Sequence, residues 1–237
     1  MHRSRADDVY DQLKRDIASF KLVPGDRFTE GELCERLGVS RTPVRQALFR
    51  LRQEGMVDVS FRSGWRVLPF DFDRFHQLYD LRMVLETTAA RRICAGGAPV
   101  DQKRLATLAG TWQVPPAARS KDPVEVAGWD EEFHCALVGA AGNAEMARVH
   151  KEVTERIRII RRLDFTQPVR IAETYDEHAK ILRALARKRG DQAALLLSAH
   201  IETSQAEVRK ITLHQVYVAR NNASLASRED AAPSVRV

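Results

Sequence analysis

Val9, Leu13 and Ile17 recur four residues apart with charged residues between them, the stripe of a helix that buries one face. The pattern stops at Leu22-Val23-Pro24-Gly25, where proline and glycine break a helix. A second helix is expected after Thr29, with Leu33 and Leu37 on one face and Gly38 at its end. A third is expected after the cap Ser40, with Val44, Ala47, Leu48 and Leu51 as its apolar stripe and Gly55 where it would end. The period then drops to two. Val57 and Val59 alternate with polar residues, Arg62-Ser63-Gly64 supplies a turn, and Trp65 to Leu68 returns as the partner strand. Helix, helix, helix, hairpin is the order of a winged helix-turn-helix.

From Asp73 onward the pattern is helical throughout. Six helices are expected, at about 73–95, 100–112, 123–141, 143–164, 168–188 and 191–218. The breaks are Gly96-Gly97-Ala98-Pro99, the stretch Val114 to Pro123, Gly142-Asn143, Gln167-Pro168 and Gly190-Asp191. The chain is therefore expected to be mainly α, a winged helix-turn-helix domain over 1–69, a short linker over 70–72 and an all-α helical bundle over 73–220. Residues 221–237 are small and polar and are expected to be a disordered tail. No internal repeat is visible.

Composition changes this picture little. The chain has 237 residues, 44% hydrophobic and 30% charged, which is ordinary for a soluble protein. The net charge of +6 permits a nucleic-acid partner without requiring one. Its distribution says more: residues 40–66 hold six arginines, at 41, 45, 50, 52, 62 and 66, against only Glu54 and Asp58. Three cysteines, an odd number without a CxxC pair, argue against a disulfide framework or a thiolate zinc site and suggest small core residues. No apolar run approaches a membrane span, and Met1 to Tyr10 lacks the apolar core of a signal peptide. A soluble cytoplasmic protein is expected.

The start of the third helix concentrates hydrogen-bonding chemistry. A helix N-terminus presents unpaired backbone N–H groups and the positive end of a dipole, so a phosphate docks there readily. Ser40 can cap it and Thr42 can add a hydroxyl. Pro43 is tolerated in the first turn. Arg41 and Arg45 are four apart on one face, and arginine suits the O6/N7 edge of guanine. An arginine pair at this spacing is, alone, most often a solvated face. The tight Leu37-Gly38-Val39-Ser40 turn before it and the glycine-tipped hairpin after it favour DNA, with the tip reaching the minor groove or flanking phosphates.

The run Glu32 to Val57, ELCERLGVSRTPVRQALFRLRQEGMV, closely resembles the helix-turn-helix signature of the GntR transcriptional regulators, and the resemblance extends over residues 7–69. It implies that Arg41 and Arg45 read bases, while Ser40, Thr42 and the wing glycine Gly64 hold the backbone or groove. Some members of that family carry a further DNA-contacting arginine early in the second helix. Gly31 stands at the matching position here, so operator preference is expected to differ.

In the second half, Asp130 and His134 lie four apart, one above the other on a helix face. His178 and His200 fall on the fifth and sixth expected helices of the bundle. Three imidazoles and a carboxylate would suit Zn²⁺, Ni²⁺, Mn²⁺ or Fe²⁺. Spacing alone leaves a hydrogen-bonded pair as the commoner meaning. Arg82, one turn before Glu86, is from spacing a surface ion pair of little energy. His150 and His214 are read as helix-surface residues, and Trp112, Trp129 and Phe133 as packing, Phe133 close enough to border a pocket.

Residues 73–218 resemble the FCD effector domain found behind GntR-type heads, in its shorter six-helix, VanR-like form. The resemblance implies a divalent metal on Asp130, His134, His178 and His200, and Arg82 in an effector pocket facing a carboxylate. A homodimeric transcriptional regulator is therefore expected, with repression as the commoner mode. It would bind a roughly palindromic double-stranded operator under the control of a small organic acid. The competing reading is a metal-dependent, hydrolase-like enzyme acting on a small carboxylate. No general base beside the proposed ligands is apparent, so no catalytic residue is assigned.

Overall fold

The computed structural model describes residues 4–60, 64–96, 100–165, 168–208 and 210. They fall into two compact units, one running to Asp71 and the other beginning at Phe72.

The first unit holds α1 (Arg5–Ala18), β1 (Arg27–Phe28), α2 (Glu30–Leu37), α3 (Arg41–Gln53), β2 (Val57–Ser60) and β3 (Gly64–Val67). Its helices start and stop for local reasons. Ser4 caps α1 in a capping box with Asp7, and Thr29 caps α2 in a box with Glu32. Gly38 ends α2 in the left-handed conformation at φ +63°, which turns the chain tightly into α3. Val9, Leu13 and Ile17 from α1, Leu33 from α2 and Val44, Ala47, Leu48 and Leu51 from α3 form the core, the four α3 residues with no exposure at all. Burial of such side chains stabilises by roughly 1.5–3 kcal/mol each. The sheet exceeds the expected hairpin. β1 pairs antiparallel with β3, and β3 with β2, in the order β1-β3-β2. A two-residue strand carries too short an alternation to be read from sequence. Arg62 and Ser63, the expected hairpin tip, lie outside the described residues.

The second unit is all α: α4 (Phe72–Ala95), α5 (Gln102–Trp112), α6 (Pro123–Ala140), α7 (Ala144–Asp164), α8 (Pro168–Ala186) and α9 (Gly190–Val208). These match the six expected helices, with a short 3-10 turn at Pro116–Ala118 between α5 and α6. The expected reach of the last helix to 218 and the tail over 221–237 lie outside the described residues. Asp122 caps α6 through Val124 and Glu125, with Pro123 at its first position. α4 packs along α9, α6 against α7, and α8 against α9. The core runs through Ala89, Ile93, Leu108, Trp112, Val126, Phe133, Leu137, Tyr175, Ile181 and Leu197. Among the described residues no helix is long and apolar enough to cross a membrane. The three cysteines are free and partly buried, Cys94 packing against the bundle core. Burial pushes the Cys135 thiol up to about 11, so it is not a reactive thiolate at neutral pH.

Candidate functional site

In the first unit the polar groups sit at the exposed start of α3. Ser40, Arg41, Thr42 and Arg45 are exposed, while Val44 one position away has no exposure. The helix thus divides as its periodicity requires, one side for the core and one for a partner. Ser40 occupies the cap position in extended conformation, but its hydroxyl makes no capping hydrogen bond, which corrects the expectation that it caps the helix. The reason is Pro43. It stands at the third helical position, where a capping serine finds its usual N–H donor, and proline has none. α1 and α2 carry Asp7 and Glu32 at that position and are fully capped. α3 alone of the three is left with a free cap hydroxyl, N–H groups at Arg41 and Thr42 and no acidic residue in its first turn. Such an end favours an anion.

Of the arginines around it, Arg50 is paired with Asp7 at 2.7 Å and Arg52 with Asp58 at 3.1 Å. Arg45 is 57% exposed and donates from Nε to Glu30 at 2.7 Å, which fixes the root of its guanidinium. Gly64 has φ +83°, and a Cβ there would stand 2.7 Å from the Phe28 carbonyl oxygen. Glycine is therefore required by the close approach of β1 as well as by the backbone conformation.

In the second unit the sequence-predicted residues come together from three helices. α6 supplies Asp130 and His134, α8 His178, α9 His200, and all four are buried. Their ligand atoms lie within 4.8 Å of one another. His134 Nε2 is 3.1 Å from His200 Nε2, which is 3.4 Å from His178 Nε2. Asp130 Oδ1 is 3.4 Å from Nε2 of both His134 and His178 and 3.9 Å from that of His200. Donors about 2.0–2.2 Å from one ion stand roughly 3.0–3.5 Å apart, so this spacing is that of a coordination shell.

Tautomers support the fit. Glu86 Oε2 takes His134 Nδ1 at 2.5 Å, and Glu177 Oε2 takes His200 Nδ1 at 2.6 Å. A ring whose Nδ1–H is donated to a carboxylate turns a lone pair outward at Nε2. Packing fixes the ring position of His178 but not its tautomer: Phe133 stacks on it at 3.7 Å, Trp112 meets it edge-on at 4.2 Å, and its Nδ1 has no hydrogen-bond partner among the described residues. Burial, then neighbouring cations and imidazoles, hold the rings neutral. His134 falls to about 4, burial and Arg82 outweighing Glu86, and His200 to about 3, while His178 lies well below its ordinary value. Neutral imidazole is the ligand form. Three imidazole nitrogens and Oδ1, which accepts no hydrogen bond among the described residues, therefore converge in a buried space that suits a divalent cation. Arg161 lies against the other oxygen, Oδ2.

Arg82 of α4 is fully buried, which decides between its two readings: it is no surface pair. Its Nε donates to Glu86 Oε1 at 2.6 Å. Among the described residues both its amino groups are buried without a hydrogen-bond partner. Unmet buried donors cost about 1–3 kcal/mol, so these amino groups could take a ligand's acceptor oxygens. Burial raises the Glu86 carboxyl, but Arg82, His134 and His150 together hold it well below the ordinary range, so it is ionised.

His150 is not on the surface. It has no exposure and meets Glu86 Oε1 through Nε2 at 3.0 Å. The signal was present in the sequence, since His150, Val153, Ile157 and Ile160 share one stripe of α7. Sequence reasoning also missed Glu86 and Glu177 as partners of the imidazoles, and Arg161 and Arg170 as buried cations beside them. His214 lies outside the described residues.

Comparison with known proteins agrees with both halves. Residues 5–67 match the model of the bacterial regulatory proteins of the gntR family, and residues 77–203 that of the FCD domain. The chain is 34% identical to the Nta operon transcriptional regulator of Aminobacter aminovorans over 78% of its length and 85% of that protein. It is 25% identical to the HTH-type transcriptional repressor RspR of Escherichia coli over 86% of its length and 88% of that protein. The crystal structure of a GntR-type regulator from Rhodococcus sp. RHA1 has the same fold, with a TM-score of 0.71 at 23% identity over 88% of this chain and 99% of that one. These relatives are transcriptional regulators, which sets the enzyme reading aside. The two matches fall one on each unit of the fold, and the chain belongs to the GntR family of bacterial transcriptional regulators, with a C-terminal FCD domain.

Proposed function

We propose that this regulator is a repressor whose grip on its operator is controlled by a small organic acid bound in the FCD domain. The observation that carries the reading is the pairing, through Glu86, of a metal-competent cluster with a buried arginine that has two unmet amino groups. Asp130, His134, His178 and His200 would hold the divalent ion. When bound, the ion supplies a Lewis-acidic point for one oxygen of the acid. Arg82 presents a planar pair of donors that fits a carboxylate in two-point fashion.

In the head, Arg41 and Arg45 read base edges, Ser40 and Thr42 bind phosphate, and Gly64 lets the wing lie close to the groove. The uncapped start of α3 supports this assignment. The operator is a roughly palindromic duplex read by a homodimer, since a two-fold protein matches a two-fold site. Residues 1–69 are the DNA-binding domain and 73–220 the effector domain of a cytoplasmic protein. The Escherichia coli relative is described as a repressor, which favours repression here. For the acid to act it must bind the DNA-competent and DNA-incompetent states with different affinity.

The test is a gel shift on the DNA upstream of the regulator's own gene, with metal-loaded protein and a panel of small carboxylates. A shift released by one acid, and no longer released in Arg82→Gln, is expected. A shift that no acid alters, or protein that keeps no stoichiometric metal after purification without a histidine tag, overturns the effector reading and leaves the DNA reading standing.

A further inference from the structure

Glu86 is the only carboxylate among the described residues that joins the arginine to the cluster. Its Oε1 accepts from Arg82 Nε at 2.6 Å and from His150 Nε2 at 3.0 Å, and its Oε2 takes His134 Nδ1 at 2.5 Å. The four side chains come from α4, α6 and α7, and none has any exposure. Arg82 makes no ion pair with any of the four proposed ligands. Whatever Arg82 communicates to His134 through hydrogen bonds passes through this one carboxylate.

We propose that Glu86 is a positioning residue that couples occupancy of Arg82 to the strength with which His134 donates from Nε2, with His150 as its third anchor. The inference rests on the reading of Asp130, His134, His178 and His200 as metal ligands. Glu86 divides its negative charge between a guanidinium and an imidazole. An acid carboxylate on the Arg82 amino groups neutralises the guanidinium. The Glu86 charge then leans towards His134, pulls harder on Nδ1–H and makes Nε2 a stronger donor. Acid and metal therefore strengthen one another, and the coupling is reciprocal. His200 has its own carboxylate, Glu177, which is held by Arg170 rather than Arg82 and so lies outside this route.

The coupling is read with Zn²⁺ alone, by competition against a chromophoric chelator, on the full-length protein. Arg82→Gln removes the charge yet keeps an amide nitrogen at the same number of bonds from Cα as Nε, so the hydrogen bond to Glu86 can persist. It mimics a neutralised arginine and is expected to tighten Zn²⁺ by about 5-fold or more. Glu86→Gln is expected to weaken it by roughly 10–100-fold. In the double variant the gain from Arg82→Gln disappears, leaving an affinity within about twofold of Glu86→Gln. In a Glu177→Gln background the gain persists.

Three results overturn the coupling: Glu86→Gln that binds like the parent, Arg82→Gln that changes nothing, or an equal gain in the Glu86→Gln background, which indicates a diffuse field instead of a junction. If Glu86→Gln shows no cooperative thermal transition, His150→Leu, which removes the donor to Oε1, replaces it. A severalfold loss of Zn²⁺ affinity is then expected, and unchanged affinity counts against Glu86. Failure of the folded parent to bind Zn²⁺ at all removes the ligand assignment itself, an outcome separate from the others.

Discussion

The start of α3 and the polar centre of the bundle hold comparable sets of arginine and hydrogen-bonding groups, and they use them in opposite ways. In α3 the groups are contiguous and exposed, from Ser40 to Arg45, and Pro43 leaves the Ser40 hydroxyl without its capping donor. In the bundle they come from α4, α6, α7, α8 and α9, span Arg82 to His200, and are almost wholly buried. An exposed site can leave its polar groups to water, and a large partner could replace that water at little desolvation cost. A buried site must satisfy its charges internally, which is why Glu86, Asp130 and Glu177 each lie beside an arginine, Arg82, Arg161 and Arg170. A site built locally tolerates change around it, whereas one assembled from five helices depends on them all.

The strongest way to break that contrast lies in the bundle. His134→Ala should reduce Zn²⁺ affinity by more than the ~10–100-fold that loss of an outer partner costs, measured by chelator competition. Metal occupancy retained in full would sink the ligand set. Next is the core behind α3. Leu48→Ala, at a position with no exposure, should destabilise the head by about 2–5 kcal/mol in denaturant unfolding and leave Zn²⁺ affinity unchanged. A loss of Zn²⁺ affinity there would mean that the two units are not independent in this respect.

Arg45→Ala should cost about 1–3 kcal/mol of operator affinity and relax base preference, seen by titrating operator variants. Equal loss on all sequences would reassign Arg45 to phosphate. The smallest effect is the most diagnostic. Pro43→Glu restores the N–H and builds the box that α1 and α2 already have, so it should stabilise the head by about 1 kcal/mol while weakening DNA binding. A head made more stable with its DNA affinity intact would show that the free cap of α3 has no role in binding.

The head was almost entirely legible in the sequence, because everything that shapes it acts within a few residues. Helical stripes, capping residues, Gly38 and the Arg41/Arg45 pair are set by spacing. Of the two departures there, the short strand β1 and the free hydroxyl of Ser40, the second was correctable from Pro43 three positions on. In the bundle the sequence determined the helices and the Asp130/His134 face, since four residues apart on a helix means one above the other. It did not determine that His150 faces Glu86, that Arg82 is buried with two unmet amino groups, or that Arg161 lies against Asp130. Those facts depend on which helix faces lie together, and helix packing is fixed by side-chain shape summed over the whole core. The sequence by itself therefore determined the exposed, polar start of α3, where we propose that this protein meets DNA. Only the tertiary structure decided which buried groups meet, because burial and charge pairing are properties of assembled helices and not of any one of them.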